Sequence, residues 1–348
     1  MAPSCTLNAM TRTFAGISRT LALVGVGLWS IACTPMGQPA LSGTGADQVQ
    51  PAVTGKGPVI DVHEHASWPG DDDATARKAL LADMDAEGIV LSLLHVNEPG
   101  DVAGWLQAAP GRFIGGPAMP CPVTPEQPFF RCFAETQGWP DLVWLEREIA
   151  AGNLGILGEM LFVYTGVHPD DERMTPYWAL VAKYDVPVAV HINRGPAPGV
   201  GPRRDPRCCP DFNGEMGNPA LLRPVLERHP RLRILLQHVG GSGSPGNATF
   251  ERETLALLAD HATVYFDMSI VNSDTPADVH EAALRRLIDA GFGDRIMFGS
   301  DTRAAGPILR RLESISWLTP VQRRAILYDN AARFLRLDAR TIARHHGK

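Results

Sequence analysis

A chain of 348 residues has room for one large domain or two ordinary ones, and 45% hydrophobic with 20% charged residues is the balance of a globular protein with a sizeable core. A net charge of −6 gives no electrostatic reason to expect nucleic acid as a partner. No segment approaches the roughly 18–20 continuous apolar residues of a mature membrane span.

At the N-terminus, Arg12 and Arg19 precede the short apolar stretch "TLALVGVGLWSIAC", which ends in small residues. A basic start, an apolar stretch of this length and a cleavage-like end make residues 1–32 an expected signal peptide. The Gly-, Pro- and Ser-rich segment that follows reads as a flexible tether over 33–56. "SIAC" resembles a bacterial lipobox, which implies lipidation of Cys33, although Ser30 stands where such signals prefer leucine. The expectation is export to the periplasm, free or anchored at the membrane.

From residue 57 onward, eight short apolar, β-branched runs follow one another, at 57–65, 88–97, 112–120, 154–161, 186–193, 232–240, 262–270 and 294–301. Strands buried on both faces in a parallel sheet have this near-continuous apolar character. Helical spacing fills the gaps. "ATARKALLADMDAEG" stops at Gly88, "TPYWALVAKYD" offers Thr175 as N-cap with Pro176 behind it, and "NPALLRPVLERHP" starts at Asn218 and kinks or restarts at Pro224. "SDTPADVHEAALRRLIDAG" is amphipathic, with Val279, Ala283, Leu287 and Ile288 on one face. Eight strand–helix units predict an α/β fold, a (β/α)8 TIM-type barrel over residues 57–338, with 339–348 as a tail. The segment "LTPVQRRAILYDNAARFLRL" reads as a closing helix on the outside.

The barrel gives the polar residues addresses. His63 and His65 close the first strand, Glu159 lies near the end of the fourth, His191 of the fifth and His238 of the sixth, and Asp301 closes the eighth. In a parallel barrel these ends open on one mouth, where four imidazoles and two carboxylates suit zinc or a similar divalent ion.

The stretches "IDVHEH", "VHIN", "QHVGG", "FGSD" and "ILYDNAARFLRL" together resemble the amidohydrolase superfamily, most closely its amidohydrolase-related branch. The resemblance implies that His63, His65 and Asp301 hold one metal. In single-metal members His191 would complete that site, and His238 would polarise the substrate or orient the attacking water. In two-metal members His191 and His238 would bind a second ion, with Glu159 as the bridge. That glutamate departs from the branch's usual pattern and leaves one or two ions open.

Metal-bound water loses its proton near neutral pH, and Asp301 can accept that proton and pass it to the leaving group. The expected reaction is metal-dependent hydrolysis of an ester, lactone, amide or phosphoester of a small molecule. The alternatives are a non-oxidative decarboxylase, which the same resemblance implies, and a non-catalytic metal-binding surface protein. Asn193, Arg194 and Arg303 lie close to the ligands and are the candidate substrate contacts, with Tyr164 and His168 behind them. Arg203, Arg204 and Arg207 belong to a long loop that would suit carboxylate or phosphate groups. In an exported chain Cys121, Cys132, Cys208 and Cys209 are expected in disulfides, with their pairing open.

Overall fold

The computed structural model describes residues 57–66, 73–122, 133, 136–195, 209–240 and 248–348. The expected signal peptide, tether and Cys33, the Arg203–Arg204–Arg207 loop, Cys132 and Cys208 lie outside the described residues.

Eight parallel strands stand where the apolar runs predict them: β1 (Val59–His65), β2 (Ile89–Val96), β3 (Phe113–Pro117), β4 (Leu157–Met160), β5 (Val188–His191), β6 (Ile234–Gln237), β7 (Val264–Asp267) and β8 (Ile296–Met297). Ladders join β1-β2-β3 and β4-β5-β6-β7-β8. Backbone hydrogen bonds cross both remaining seams. Gly155 N donates to the Gly115 carbonyl and Met119 N to the Glu159 carbonyl, while Val62 N donates to the Phe298 carbonyl and Asp301 N to the His63 carbonyl. The sheet therefore closes into a (β/α)8 barrel.

The helices follow in order: α1 (Asp73–Glu87), α2 (Pro99–Ala108), α3 (Leu142–Ala150), α4 (Phe162–Thr165), α5 (Thr175–Tyr184), α6 (Arg223–Arg228), α7 (Ala248–Asp260), α8 (Val271–Asp274), α9 (Ala277–Leu287) and α10 (Ala305–Ser314). Gly88 ends α1 with φ +73, a conformation open to glycine at no steric cost. The expected cap of α5 is corrected: Thr175 is its first residue, because a 3-10 turn capped by Asp171 already starts upstream. Asn218 caps a 3-10 turn, and Pro224 restarts the chain as α6. On α9 the buried face is His280, Ala283, Leu284 and Leu287, one step from the predicted stripe. Among the described residues no helix is long and apolar enough to cross a membrane.

Two apolar layers hold the barrel. Val59, Leu94, Val188, Ile234 and Phe266 pack outward against the helices. Ile60, Val62, Leu93, Ile156, Ala189, Leu235 and Met297 fill the interior together with Tyr328, Ala331, Ala332 and Phe334. The C-terminal segment is thus a plug for the barrel interior, not an outer helix. It begins with a capping box between Thr319 and Gln322, and Asn330 donates its side-chain amide to the Ile296 carbonyl.

Candidate metal centre

Strand alternation alone would not aim the first-strand histidines inward. Ile60 and Val62 face the interior, so a regular strand would send His63 and His65 to the opposite side. The ladder slips between Asp61 and Glu64: β1 advances from Asp61 to Glu64 while β2 advances only from Ser92 to Leu94. One extra residue reverses the facing of everything after it. The same slip occurs in β4, between Leu157 and Met160 against Val188 and Val190, and turns Glu159 into the mouth. Gly158 makes that slip feasible. Its φ is +116, and a Cβ there would run into the Ala189 carbonyl oxygen.

The ligand atoms meet at the C-terminal mouth. His65 Nε2 lies 3.2 Å and His63 Nε2 3.5 Å from Asp301 Oδ1. Glu159 stands between the histidines, with Oε1 4.0 Å from His63 Nε2 and 3.4 Å from His238 Nε2, and Oε2 3.5 Å from His65 Nε2. Two triads result, His63–His65–Asp301 and His63–Glu159–His238, each with its ligand atoms within 4.8 Å of one another. His191 joins through Glu159, donating from Nδ1 to Oε1 at 2.6 Å, while the Tyr164 hydroxyl lies 3.4 Å from its Nε2. It belongs to neither triad.

This donor set fits a divalent cation. His63 is fully buried, yet its Nε2 has no hydrogen-bond partner among the described residues. A buried, unpaired imidazole nitrogen aimed at carboxylates is costly unless something cationic completes it. The protonation pattern agrees. Burial pulls the His63 imidazole down, but the carboxylates of Asp301, Asp267 and Glu159 outweigh it and hold it at about 10. Burial pushes Asp301 up, but His63, His65 and His238 outweigh it and keep it below the usual carboxylate range. Glu159 is likewise held low, mainly against burial and by His191. Without metal, a proton takes the place of the cation.

The substrate candidates lie at the rim. Arg303 pairs with Asp274 at 2.9 Å and donates to the backbone carbonyl of Asp301. Arg194 pairs with Glu215 at 2.7 Å and stacks over Phe250. The Asn193 side chain accepts from Gly195 N, and His168 Nδ1 accepts from Asp170 N within its own turn. His95 donates to the Gly158 carbonyl and accepts from the Gln237 amide. Cys121 and Cys209 are both disulfide-bonded.

Sequence reading missed the contribution of β7. Asp267 Oδ2 lies 3.2 Å from His63 Nδ1, and its Oδ1 accepts from His238 N and Ser269 N. Ser269 Oγ lies 2.9 Å from His63 Nδ1 and 3.0 Å from His238 Nδ1. Asp267 was detectable only as a carboxylate at the end of a predicted strand. Asp61 and Glu64 are buried beside the site: burial pushes Asp61 up to about 6, and burial together with Asp61 holds Glu64 well above the usual carboxylate range.

A family model described as Amidohydrolase matches residues 60–337. None of the curated proteins matches the chain. Among solved structures, a probable 2-pyrone-4,6-dicarboxylic acid hydrolase from Acinetobacter baumannii, with citric acid bound, shares 13% identity at a TM-score of 0.57, over 80% of this chain and 100% of that one. A TIM-barrel protein from Bordetella bronchiseptica shares 17% identity at 0.53, over 84% and 100%. A 5-carboxyvanillate decarboxylase from Novosphingobium aromaticivorans, complexed with manganese, shares 16% at 0.54, over 84% and 100%.

Proposed function

The chain belongs to the amidohydrolase family, and from that premise we propose that it is a metal-dependent hydrolase of a small-molecule ester, lactone, amide or phosphoester. One observation carries the reading: the unpaired Nε2 of His63 sits where two triads of ligand atoms overlap, with the ionised Asp301 beside it. His63, His65 and Asp301 would hold one divalent ion, and Glu159 with His238 would extend the set to a second; His191 supports them through Glu159. Zinc suits the mixed nitrogen and oxygen donors, and manganese, bound by the decarboxylase neighbour, is the competing ion. When bound, the ion supplies Lewis acidity and lowers the pKa of water.

The residues provide the rest. Asp301, buried at the mouth, is ionised at neutral pH and takes a proton from the attacking water. It returns that proton to the leaving group, serving as base and then acid. Glu159 holds His191 by a hydrogen bond and faces His238 Nε2 at 3.4 Å, so its carboxylate fixes one imidazole and borders the other. Deep burial of these groups excludes bulk water and strengthens each interaction. The Arg12–Cys33 pattern supports an exported and lipid-anchored form, which fractionation of expressing cells with a Cys33→Ser comparison would test.

The test is metal content per chain for untagged protein, followed by assays on lactones, esters, amides and phosphoesters. Hydrolysis that a chelator abolishes and zinc or manganese restores supports the proposal. Carbon dioxide release from aromatic carboxylic acids without hydrolysis transfers the chain to the decarboxylase reading. Failure to take up either ion overturns both.

A further inference from the structure

We infer that Ser269, held by Asp267, is a positioning residue that locks His63 and His238 in one tautomer, so that both turn an Nε2 lone pair to the centre. The inference deepens the proposed function and rests on its metal reading.

The argument is a hydrogen-bond count. A serine hydroxyl has one proton to give and two lone pairs to accept with. Ser269 Oγ gives its proton to Asp267 Oδ1 at 2.6 Å. That oxygen also accepts from the backbone N–H groups of His238 at 3.0 Å and Ser269 at 2.9 Å, donors that cannot reverse, so it is an acceptor and the serine proton is committed to it. The two lone pairs of Oγ then face His63 Nδ1 at 2.9 Å and His238 Nδ1 at 3.0 Å. The other polar atoms within reach are acceptors as well: Asp267 Oδ2 at 3.2 Å from His63 Nδ1, and the Ser269 carbonyl at 3.3 Å from His238 Nδ1. Each Nδ1 therefore meets only acceptors and must carry its proton. Each neutral ring then has its lone pair on Nε2, the atom through which both enter the ligand triads.

One consequence concerns His238. A neutral ring fixed in this way accepts at Nε2 and cannot donate there, so it acts as a ligand and not as a hydrogen-bond donor to substrate. A single hydroxyl also ties β1 to β6 through β7, so one substitution should disturb both triads. Orientation of a ligating imidazole through its other nitrogen is typically worth 10- to 100-fold in metal affinity.

The experiment uses zinc, a chelator competition and the imidazole ¹H–¹⁵N spectrum of the full chain. Wild-type protein should show Nδ1–H for His63 and His238 when zinc-loaded. Ser269→Ala should weaken zinc roughly 10- to 100-fold and blur the His238 tautomer. Asp267→Asn can turn an amide N–H towards His63 Nδ1, which drives the ring proton to Nε2 and weakens zinc to a similar extent. Wild-type spectra alone decide the tautomer if either variant misfolds. Zinc-binding wild type with His238 protonated at Nε2, or a folded Ser269→Ala with unchanged affinity and spectra, overturns the lock and leaves the metal reading intact. Wild type that takes up no zinc, yet shows an Nδ1–H at His238 that Ser269→Ala loses, keeps the lock and overturns the metal reading.

Discussion

The two ends of the barrel differ in what they bury. At the floor, Ile60, Val62, Leu235 and Met297 meet Tyr328, Ala331 and Phe334, an apolar interior that the C-terminal segment plugs. At the mouth, His63, His65, Glu159, His191, His238, Asp267, Ser269 and Asp301 are all buried, and the backbone departs from regularity beside them. The slip between Asp61 and Glu64 and the slip in β4 fall there, and His238, Asp301 and Asn193 have positive φ. Buried polar groups and residues in sparsely populated backbone regions persist only where the surrounding structure over-determines them. The floor thus supplies stability that the mouth spends on placing ligand atoms, which is the division of labour expected of a parallel barrel.

Four substitutions and one titration probe that division, from the largest effect down. Asp301→Asn should lower kcat of the metal-loaded enzyme by roughly 10²- to 10⁴-fold, the usual worth of a general base, while the melting curve stays cooperative. Wild-type turnover in that variant would remove Asp301 from the chemistry. Phe334→Ala should do the reverse at the floor. It should cost about 3–5 kcal/mol in denaturant unfolding, as for other buried aromatics, yet leave the metal dissociation constant near wild type.

Gly158→Ala links the two ends. A positive φ and a close carbonyl should together cost about 1–3 kcal/mol, and the displaced Glu159 should weaken metal binding in the same variant. Loss of stability without loss of affinity would detach Glu159 from the site. The melting temperature of the metal-free protein should fall as pH rises through the alkaline range. His63 has its pKa raised to about 10, so its stabilising contribution is complete below the unfolded value near 6.5 and lost as pH rises towards 10. Metal-loaded protein should show a flatter profile, because the ion replaces the proton. Arg303→Ala should matter least for stability, by under about 1 kcal/mol, because its pair with Asp274 is half-exposed.

The strands were legible because a parallel strand buried on both faces is largely apolar, and each of the eight segments carries a short apolar run. The residues gathered at the mouth were legible for a related reason: His63, His65, Glu159, His191, His238 and Asp301 stand at or just after strand ends, which a barrel gathers whatever its loops do. Periodicity reports an apolar face and not the surface that it covers, so the sequence does not tell the plug from an outer helix. Capping signals are local, so Thr175 reads as a cap although the turn capped by Asp171 has already begun. For Arg194 and Arg303 the sequence shows a charge without its partner, and Glu215 and Asp274 enter only with the fold.

The sequence by itself determined the element order, the barrel and the strand ends at which the imidazoles and carboxylates stand, since these follow from short-range pattern and composition. Only the tertiary structure decided how those atoms are aimed. The slips in β1 and β4 are properties of a strand paired with its neighbour, and no single strand encodes them. The tautomers of His63 and His238 depend on Asp267 and Ser269; for His63 the partners lie some two hundred residues along the chain. A hydrogen bond is sensitive to tenths of an ångström and to direction, and only packing fixes position to that tolerance.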